Sequence, residues 1–226
     1  MIHFPTTILD NFFDNPHDII NISKSSKITW KPSENGSWPG VRSQSLVNIN
    51  KDLFMFIIKK YFFTFFNYED MDAVNCQAMS VFQRIGPKTK YGWVHNDSPD
   101  IHTFIIYLTP NANLLSGTCT YNTPVSYLKK LPLEKDKYLM EIKKSHYLGK
   151  TSIEEAESAR LEHNSQFEKN VMVGNRFNRL VGFDSHIYHG VEEFGTGTEE
   201  RLTLITFIHK LSCPPTPYQR MKAIDE

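Results

Sequence analysis

The stretch that most strongly indicates the fold is RLTLITFI, residues 201–208. Side chains of an extended strand alternate between its two faces, so Arg201, Thr203, Ile205 and Phe207 share one face. Apolar residues occur on both faces, which predicts a buried strand. Two interpretations of the arginine remain open from this stretch alone. It forms a surface ion pair at a strand end, or it is a fixed guanidinium that binds a carboxylate beside the Thr203 hydroxyl.

Further runs of β-branched and aromatic residues precede this strand, most of them bounded by Gly or Pro. They cover residues 6–13, 73–85, 101–108, 117–121, 177–183 and 186–191. Two helices are predicted in the first half, over residues 17–23 after an Asn-Pro N-cap and over residues 52–66, with a loop at 30–43. Helices followed by many short strands predict a sheet-on-sheet or barrel core with helices packed outside.

The length of 226 residues favours one domain. We predict a single domain with helical support at about 1–70, a β core at about 73–124 and 171–210, and an insertion at about 125–170. The insertion is polar and has too few apolar residues for its own core. Within it, residues 152–162 predict an exposed helix that begins at Thr151 or Ser152.

Composition excludes several classes of protein. Hydrophobic content of 40% can fill a core, and a net charge of 0 gives no electrostatic footprint for nucleic acid. Cys76, Cys119 and Cys213 form no CxxC pair, which fits a reducing compartment. No signal peptide or membrane span is readable. We expect a soluble cytoplasmic protein from a bacterial or viral genome, in the latter case in the host cytoplasm, without nucleic-acid or membrane partners.

The segment GWVHNDS, residues 92–98, carries a candidate metal-binding pair. His95 and Asp97 project to the same face of an extended backbone. An imidazole and a carboxylate side by side are two of the three ligands of a 2-His-1-carboxylate site, which leaves metal positions open for a co-substrate and oxygen. Taken alone, an HxD pair is more often a chance surface pair than a metal site.

The third ligand is sought in VGFDSHIYHG, residues 181–190. His186 and His189 are three residues apart, so on one strand they point to opposite faces and only one can face a metal. We predict His189, because the strand that begins with Arg201 follows 12 residues later. Core or outer surface is predicted for His102. A surface position is predicted for four histidines, His3, His17, His146 and His163.

In this order, the HxD pair, the distal histidine and Arg-x-Thr at the start of the last core strand resemble the 2-oxoglutarate/Fe(II)-dependent dioxygenase superfamily, in particular its prolyl-hydroxylase-like branch. The strand TFIIYLTP, residues 103–110, and Ser116-Gly117-Thr118 are similar to strands of that branch. The resemblance covers residues 73–124 and 177–210 well and 125–170 not at all. It implies a mainly β fold with flanking helices and a double-stranded β-helix (jelly-roll, cupin-like) core.

The resemblance also implies the site and the reaction. The implied ligands of Fe(II) are His95, Asp97 and His189, and the implied 2-oxoglutarate-binding residues are Arg201, Tyr107 and Thr203. The implied reaction uses O2 to hydroxylate a C–H bond and releases succinate and CO2. It requires no catalytic side chain separate from the metal centre.

Two positions depart from the prolyl hydroxylases. Many of them have a tyrosine three residues before the first histidine, where this sequence has Gly92, and many have a lysine at the position of Arg201. Both differences put a collagen-type prolyl 4-hydroxylase in doubt. Asp97 disfavours a halogenase, which lacks that ligand. Further candidates for contact with ligands are Gln83, Trp38, Trp93 and Arg42.

Two alternative functions remain open. One is a non-catalytic jelly-roll binding protein, and the other is a Zn²⁺-dependent hydrolase with the same three ligands. A hydrolase would not need Arg201 and Tyr107 to converge on a carboxylate. The substrate is expected to be a peptide, an amino-acid side chain or a small metabolite, selected by residues 30–43 and 125–170. The sequence indicates no oligomeric state.

Overall fold

The computed structural model describes residues 5–65, 74–87, 89–122, 134–194 and 200–212. Residue 73, the first part of the predicted insertion and Cys213 lie outside these ranges. The described part contains ten strands. They are β1 (Thr7–Leu9), β2 (Trp30–Pro32), β3 (Val41–Ser43), β4 (Asn75–Ile85), β5 (His102–Tyr107), β6 (Thr118–Asn122), β7 (Glu168–Val173), β8 (Leu180–Asp184), β9 (Tyr188–Gly190) and β10 (Arg201–Ser212).

Five α-helices accompany the strands in the described ranges. They are α1 (Pro16–Ser23), α2 (Leu46–Ile49), α3 (Lys51–Phe65), α4 (Glu134–Tyr147) and α5 (Ile153–Asn164). As predicted, proline occupies the first turn of α1. The Ser152 side chain caps α5 by accepting a hydrogen bond from the backbone N–H of Glu155 at 3.2 Å. No helix in the described ranges is long and apolar enough to cross a membrane.

The strands form two antiparallel sheets. The large sheet has the order β1-β8-β5-β10-β4-β3-β2, and the small sheet has the order β7-β6-β9. The strand β10 lies near the middle of the large sheet, between β4 and β5. All of its residues from 201 to 208 are buried, as the two-sided apolar pattern predicts.

Side chains of β10 point alternately to the two faces of the large sheet, and each face packs against a different layer of the interior. Leu204 faces the helices, where it joins Phe104 and residues such as Phe62 of α3 in the main core. Ile205 faces the small sheet and belongs to a second cluster with Val173 of β7. The aromatic helix α3 therefore contributes to the main core, and a ligand cavity can form in the layer between the two sheets.

Three features differ from the expectation. Residues 30–43 are predicted as a loop, but they contain β2 and β3 at the edge of the large sheet. At three residues each, these strands are too short to show a period of two. The helix α4 has no counterpart in the prediction, and β7 begins at Glu168, inside the predicted insertion. The organisation of residues 1–226 as a single domain stays a prediction.

Candidate metal centre and its cavity

The structure brings His95, Asp97 and His189 together. One possible ligand atom from each lies within 4.8 Å of the others. Nε2 of His95 is 3.6 Å from Oδ1 of Asp97, and Nε2 of His189 is 3.4 Å from Oδ2. The two imidazole ring centroids are 4.5 Å apart. This cluster has the composition of the 2-His-1-carboxylate site that the sequence predicts.

Backbone pairing between two distant segments holds the cluster. The N–H of His95 donates to the carbonyl of His189 at 2.9 Å, and the N–H of His189 donates back at 2.7 Å. The N–H of Asp97 donates to the carbonyl of Ser185 at 2.8 Å. The HxD segment therefore runs beside the chain that leads into β9, and backbone hydrogen bonds set the spacing of all three side chains.

Hydrogen bonds also orient the imidazoles. Nδ1 of His95 lies 2.9 Å from the carbonyl oxygen of Trp93, and Nδ1 of His189 lies 2.9 Å from that of Ile187. A carbonyl oxygen can only accept, so each Nδ1 carries the proton and each Nε2 keeps its lone pair for a metal. The Thr103 hydroxyl donates to Oδ2 of Asp97 at 2.8 Å and fixes the carboxylate.

The environment favours the protonation states that bind a cation. Burial, the neighbouring His189 and the charge of Lys143 lower the pKa of His95, so this imidazole is neutral at pH 7. Burial alone would raise the pKa of Asp97, but His189, His95 and the Thr103 hydroxyl outweigh it and hold the pKa below its usual range. The donor set thus fits a divalent metal.

The cluster opens into an inner cavity between the two sheets, lined by residues that include Gln83, Ile105, Thr118, Ile205 and Arg201. The Arg201 side chain is buried at the start of β10, and its Nε donates to the carbonyl of Ser116 at 3.0 Å. One terminal nitrogen, Nη2, is fully enclosed and has no hydrogen-bond partner. Burial lowers the pKa of Arg201 to about 10, so the group stays cationic at neutral pH. A surface ion pair, one of the two sequence interpretations, is therefore wrong.

Tyr107 and Thr203 lie near this arginine. The Tyr107 hydroxyl donates to Oγ1 of Thr118 at 2.8 Å, and the guanidinium carbon of Arg201 is 5.7 Å from the Tyr107 ring centroid. The Thr203 hydroxyl is buried without a hydrogen-bond partner. Tyr107 therefore reaches the cavity through Thr118, which lines it. The roles of both residues in binding stay predictions.

Comparison with known protein sequences assigns the chain to a family. A family model described as a family of unknown function, DUF6445, matches residues 3–192. The chain belongs to the DUF6445 family. The matched range contains His95, Asp97 and His189 and ends before Arg201. A comparison with curated protein sequences gave no significant match.

Three solved structures resemble this DUF6445 chain at low sequence identity. HygX from Streptomyces hygroscopicus, solved with nickel and 2-oxoglutarate bound, is 11% identical with a TM-score of 0.53, over 90% of this chain and 82% of HygX. AviO1 from Streptomyces viridochromogenes Tue57 is 12% identical with a TM-score of 0.51, over 95% of this chain and 94% of AviO1. EvdO2 from Micromonospora carbonacea var. aurantiaca, complexed with 2-oxoglutarate, is 11% identical with a TM-score of 0.50, over 95% and 90%. The predicted jelly-roll fold of the 2-oxoglutarate-dependent oxygenases is confirmed.

Of the two candidates for the third metal ligand in the DUF6445 chain, His189 lies in the metal cluster and His186 does not. His189 is buried and packs against Phe183, with ring centroids 4.4 Å apart. His186 lies in the turn before β9, where its Nδ1 is 3.2 Å from Oδ1 of Asp184. His102 is buried on the opposite face of the large sheet, where its ring contacts Tyr61 of α3. Only His189 of these three reaches the Asp97 carboxylate.

The glycine that departs from the prolyl hydroxylases has a structural reason in the DUF6445 chain. The N–H of Gly92 donates to the carbonyl of Val191 at 2.9 Å. A Cβ atom at Gly92 would lie 2.4 Å from the same carbonyl oxygen, which no side chain tolerates. A tyrosine cannot occupy this position while the HxD segment keeps its pairing with the chain after β9.

The remaining sequence candidates of the DUF6445 chain also lie at the cavity. Gln83 lines it and donates from Nε2 to the carbonyl of Pro39 at 2.9 Å. Trp93 is buried and lines it beside His95. The Arg42 guanidinium stacks on Trp38, 4.5 Å from the ring centroid, and both line the entrance. Contact of these residues with a ligand stays a prediction.

Sequence reasoning missed two contributions of the predicted insertion to this DUF6445 site. Lys143 of α4 is only 8% exposed and lines the cavity beside His95 and Asp97. His163, predicted at the surface, is buried at the end of α5, where its Nε2 donates to the carbonyl of Val94 at 2.8 Å. A polar helix gives no sequence signal for what it packs against, so neither contact could be read from composition.

Proposed function

We propose that the chain is an Fe(II)- and 2-oxoglutarate-dependent oxygenase. It hydroxylates a C–H bond of a peptide, an amino-acid side chain or a small metabolite and releases succinate and CO2. One observation carries the proposal: the enclosed, incompletely paired guanidinium of Arg201 shares a cavity with His95, Asp97 and His189. A buried cation is costly unless an anion pairs with it, and a carboxylate accepts the planar fork of an arginine well.

The donor set supports iron as the metal. Two neutral imidazoles and one carboxylate suit Fe(II) and leave coordination positions for a bidentate 2-oxo acid and for O2. When bound, the iron supplies the oxidising chemistry for C–H hydroxylation. The fold is shared with HygX and EvdO2, whose structures contain 2-oxoglutarate.

In this proposal, the side chains of the cavity bind the co-substrate and limit access of water. Arg201 binds the distal carboxylate of 2-oxoglutarate, and Thr203 and Thr118, which Tyr107 orients, supply hydroxyl groups near it. Apolar residues such as Ile105 and Ile205 line the cavity and limit access of water. No side chain has to act as a nucleophile or general base in this proposal.

Two other functions are compatible with the ligand set. A Zn²⁺ hydrolase would use the same three ligands, but it gives no reason for a buried cation at the end of the cavity. A binding protein without catalysis gives no reason for the Thr103 hydrogen bond that orients Asp97, or for two imidazoles that keep Nε2 free. The oxygenase proposal accounts for all of these features.

Spectroscopy of the anaerobic protein tests the proposal. Addition of Fe(II) and then 2-oxoglutarate should give the weak visible charge-transfer band of a 2-oxo acid chelated to Fe(II). His189→Ala should abolish the band. His186→Ala is the matched control and should retain it, because His186 pairs with Asp184 away from the cluster. A wild-type protein that binds Zn²⁺ and gives no band with Fe(II) and 2-oxoglutarate would overturn the proposal.

A further inference from the structure

The entrance of the cavity carries two cations that the proposed iron and co-substrate leave unused. Beyond the inner cavity lies an outer cavity, lined by residues that include Asn96, Ser98, Lys137, Met140 and Tyr188. Arg42 and Lys143 line both cavities, as do His95 and Asp97. These two cations therefore stand where a substrate would have to pass or bind to reach the metal.

Neither cation is paired within the described part of the chain. Nε of Arg42 is enclosed without a hydrogen-bond partner, and the guanidinium lies over the faces of Trp38 and Phe207, at 4.5 and 5.3 Å from their ring centroids. No carboxylate in the described ranges forms an ion pair with Lys143, although the side chain is only 8% exposed. Burial lowers the pKa of Lys143 to about 8, and it outweighs the charge of Asp97, which acts in the opposite direction.

No acidic residue of the outer cavity forms an ion pair with Arg42 or Lys143 in the described part of the chain. Oδ1 of Asp100 lies 2.5 Å from Nδ1 of His209, and Oε1 of Glu141 lies 2.8 Å from Nζ of Lys144. Asp97 faces the two histidines of the metal cluster. Each of these carboxylates therefore contacts another group directly, although the charge of Asp97 also acts electrostatically on Arg42 and Lys143.

The sum of charges around the proposed metal and co-substrate also indicates that Arg42 and Lys143 are available for a further anion. A divalent metal with Asp97 and Arg201 balances the two carboxylates of 2-oxoglutarate. Arg42 and Lys143 then remain as positive charges beside the metal that form no ion pair in the described ranges, in a site with restricted access to water.

We propose that Arg42 and Lys143 form a binding subsite for an anionic group, a carboxylate or a phosphate, of the substrate. This inference rests on the proposed oxygenase function, because it concerns the group that is held while a C–H bond faces the metal. A guanidinium and an ammonium on opposite elements, β3 and α4, clamp one anion between the sheet and the predicted insertion. The insertion thus takes part in substrate selection through Lys143.

Anion titration of the loaded protein tests the subsite. The full chain is first loaded anaerobically with Ni(II) and 2-oxoglutarate, and retention of 2-oxoglutarate is measured. Acetate and inorganic phosphate are then titrated separately at constant ionic strength, with tryptophan fluorescence as the readout because Trp38 stacks on Arg42. We expect saturable binding of at least one anion, and the stronger of the two identifies the carboxylate or phosphate class.

Variants assign the binding to the two cations. Lys143→Met and Arg42→Met keep much of the apolar stem and should each weaken anion binding at least tenfold. Lys150→Met removes an exposed lysine after α4 and should leave it unchanged. A loaded wild type that binds neither anion, or equal binding by wild type and both variants, would overturn the subsite. Failure to retain 2-oxoglutarate in the first step would instead contradict the proposed function.

Discussion

The Asp97 carboxylate depends on one neighbouring hydroxyl. Thr103 of β5 donates to Oδ2 of Asp97 at 2.8 Å and thereby fixes the ligand that lies between two imidazoles. Partners that orient a ligand typically contribute about 10- to 100-fold to metal affinity. We therefore expect Thr103→Val to weaken Fe(II) binding at least tenfold, as measured by anaerobic titration.

The matched control for this threonine lies on the opposite face of the large sheet. Thr206 is also buried, and its hydroxyl is 2.7 Å from that of Ser80. Thr206→Val removes an equivalent hydrogen bond away from the cavity, so it should lower stability and leave Fe(II) affinity unchanged. Equal Fe(II) affinities of the two variants would show that Thr103 does not orient the ligand.

Arg201 separates co-substrate binding from metal binding. Its guanidinium is fixed by one hydrogen bond to the Ser116 carbonyl and keeps an enclosed nitrogen for a ligand. A hydrogen bond to a charged group contributes about 1.5–3 kcal/mol, so Arg201→Ala should raise the required 2-oxoglutarate concentration about 10- to 100-fold. Fe(II) affinity should not change. The charge-transfer band, titrated with 2-oxoglutarate, gives the measurement.

The control for Arg201 is an arginine away from the cavity. Arg176 is exposed and lies 3.3 Å from Asp10, so Arg176→Ala should leave the titration unchanged. If Arg201→Ala binds 2-oxoglutarate as wild type does, Arg201 is not the co-substrate residue and the central observation behind the proposed function loses its force.

The helix α5 supports the metal site through its last residue. Oδ1 of Asn164 accepts from the N–H of Val94 at 3.0 Å, and Nδ2 donates to the carbonyl of Gly92 at 3.1 Å. These bonds hold the backbone that leads to His95. Asn164→Ala leaves buried backbone groups unpaired, which costs about 1–3 kcal/mol. We expect lower thermal stability together with weaker Fe(II) binding.

The neighbouring Ser165 gives a local control for Asn164. Its hydroxyl donates to the Glu162 carbonyl within the exposed end of the same helix, at 2.8 Å. Ser165→Ala should therefore affect neither quantity strongly. Reduced stability of Asn164→Ala with unchanged Fe(II) affinity would mean that α5 stabilises the fold without positioning the HxD segment.

Elements differ in how much of their role the sequence reveals. Residues 201–208 predict a strand buried on both faces, because a run of eight residues with apolar side chains on both faces is a strong signal. The helices α4 and α5 give no such signal, since their charged residues describe the solvent side and not the contact side. Leu139, Ile142 and Ala159 pack on Trp93, but their spacing does not identify Trp93 as the partner. The position of Lys143 at the cavity could not be predicted from the sequence for the same reason.

At the scale of the whole molecule, the two faces of the large sheet have different roles: one packs against the helices and the other lines the cavity. Helices cover one face and form the main core together with strands of the large sheet, while the other face forms the cavity with the small sheet. The order of HxD, distal histidine and Arg-x-Thr identifies the residues that converge, because the HxD pair lies between β4 and β5, His189 lies in β9 and Arg201 begins β10. The occupant of the outer cavity depends on side-chain directions in loops and helices, which a single sequence does not specify.

The covered face makes stability sensitive to acid through His102. This histidine is buried against Tyr61, and burial lowers its pKa to about 3, below the usual 6.5. The unfolded chain therefore binds a proton that the native state excludes, and stability falls as pH decreases below about 6.5. Between pH 7 and pH 5, this single group should remove about 2 kcal/mol. In His102→Gln, the decrease in unfolding free energy over this range should be smaller by that amount, measured by urea denaturation at both pH values. His17→Gln at an exposed position should follow wild type, and an unchanged decrease in His102→Gln would mean that other groups govern the acid sensitivity.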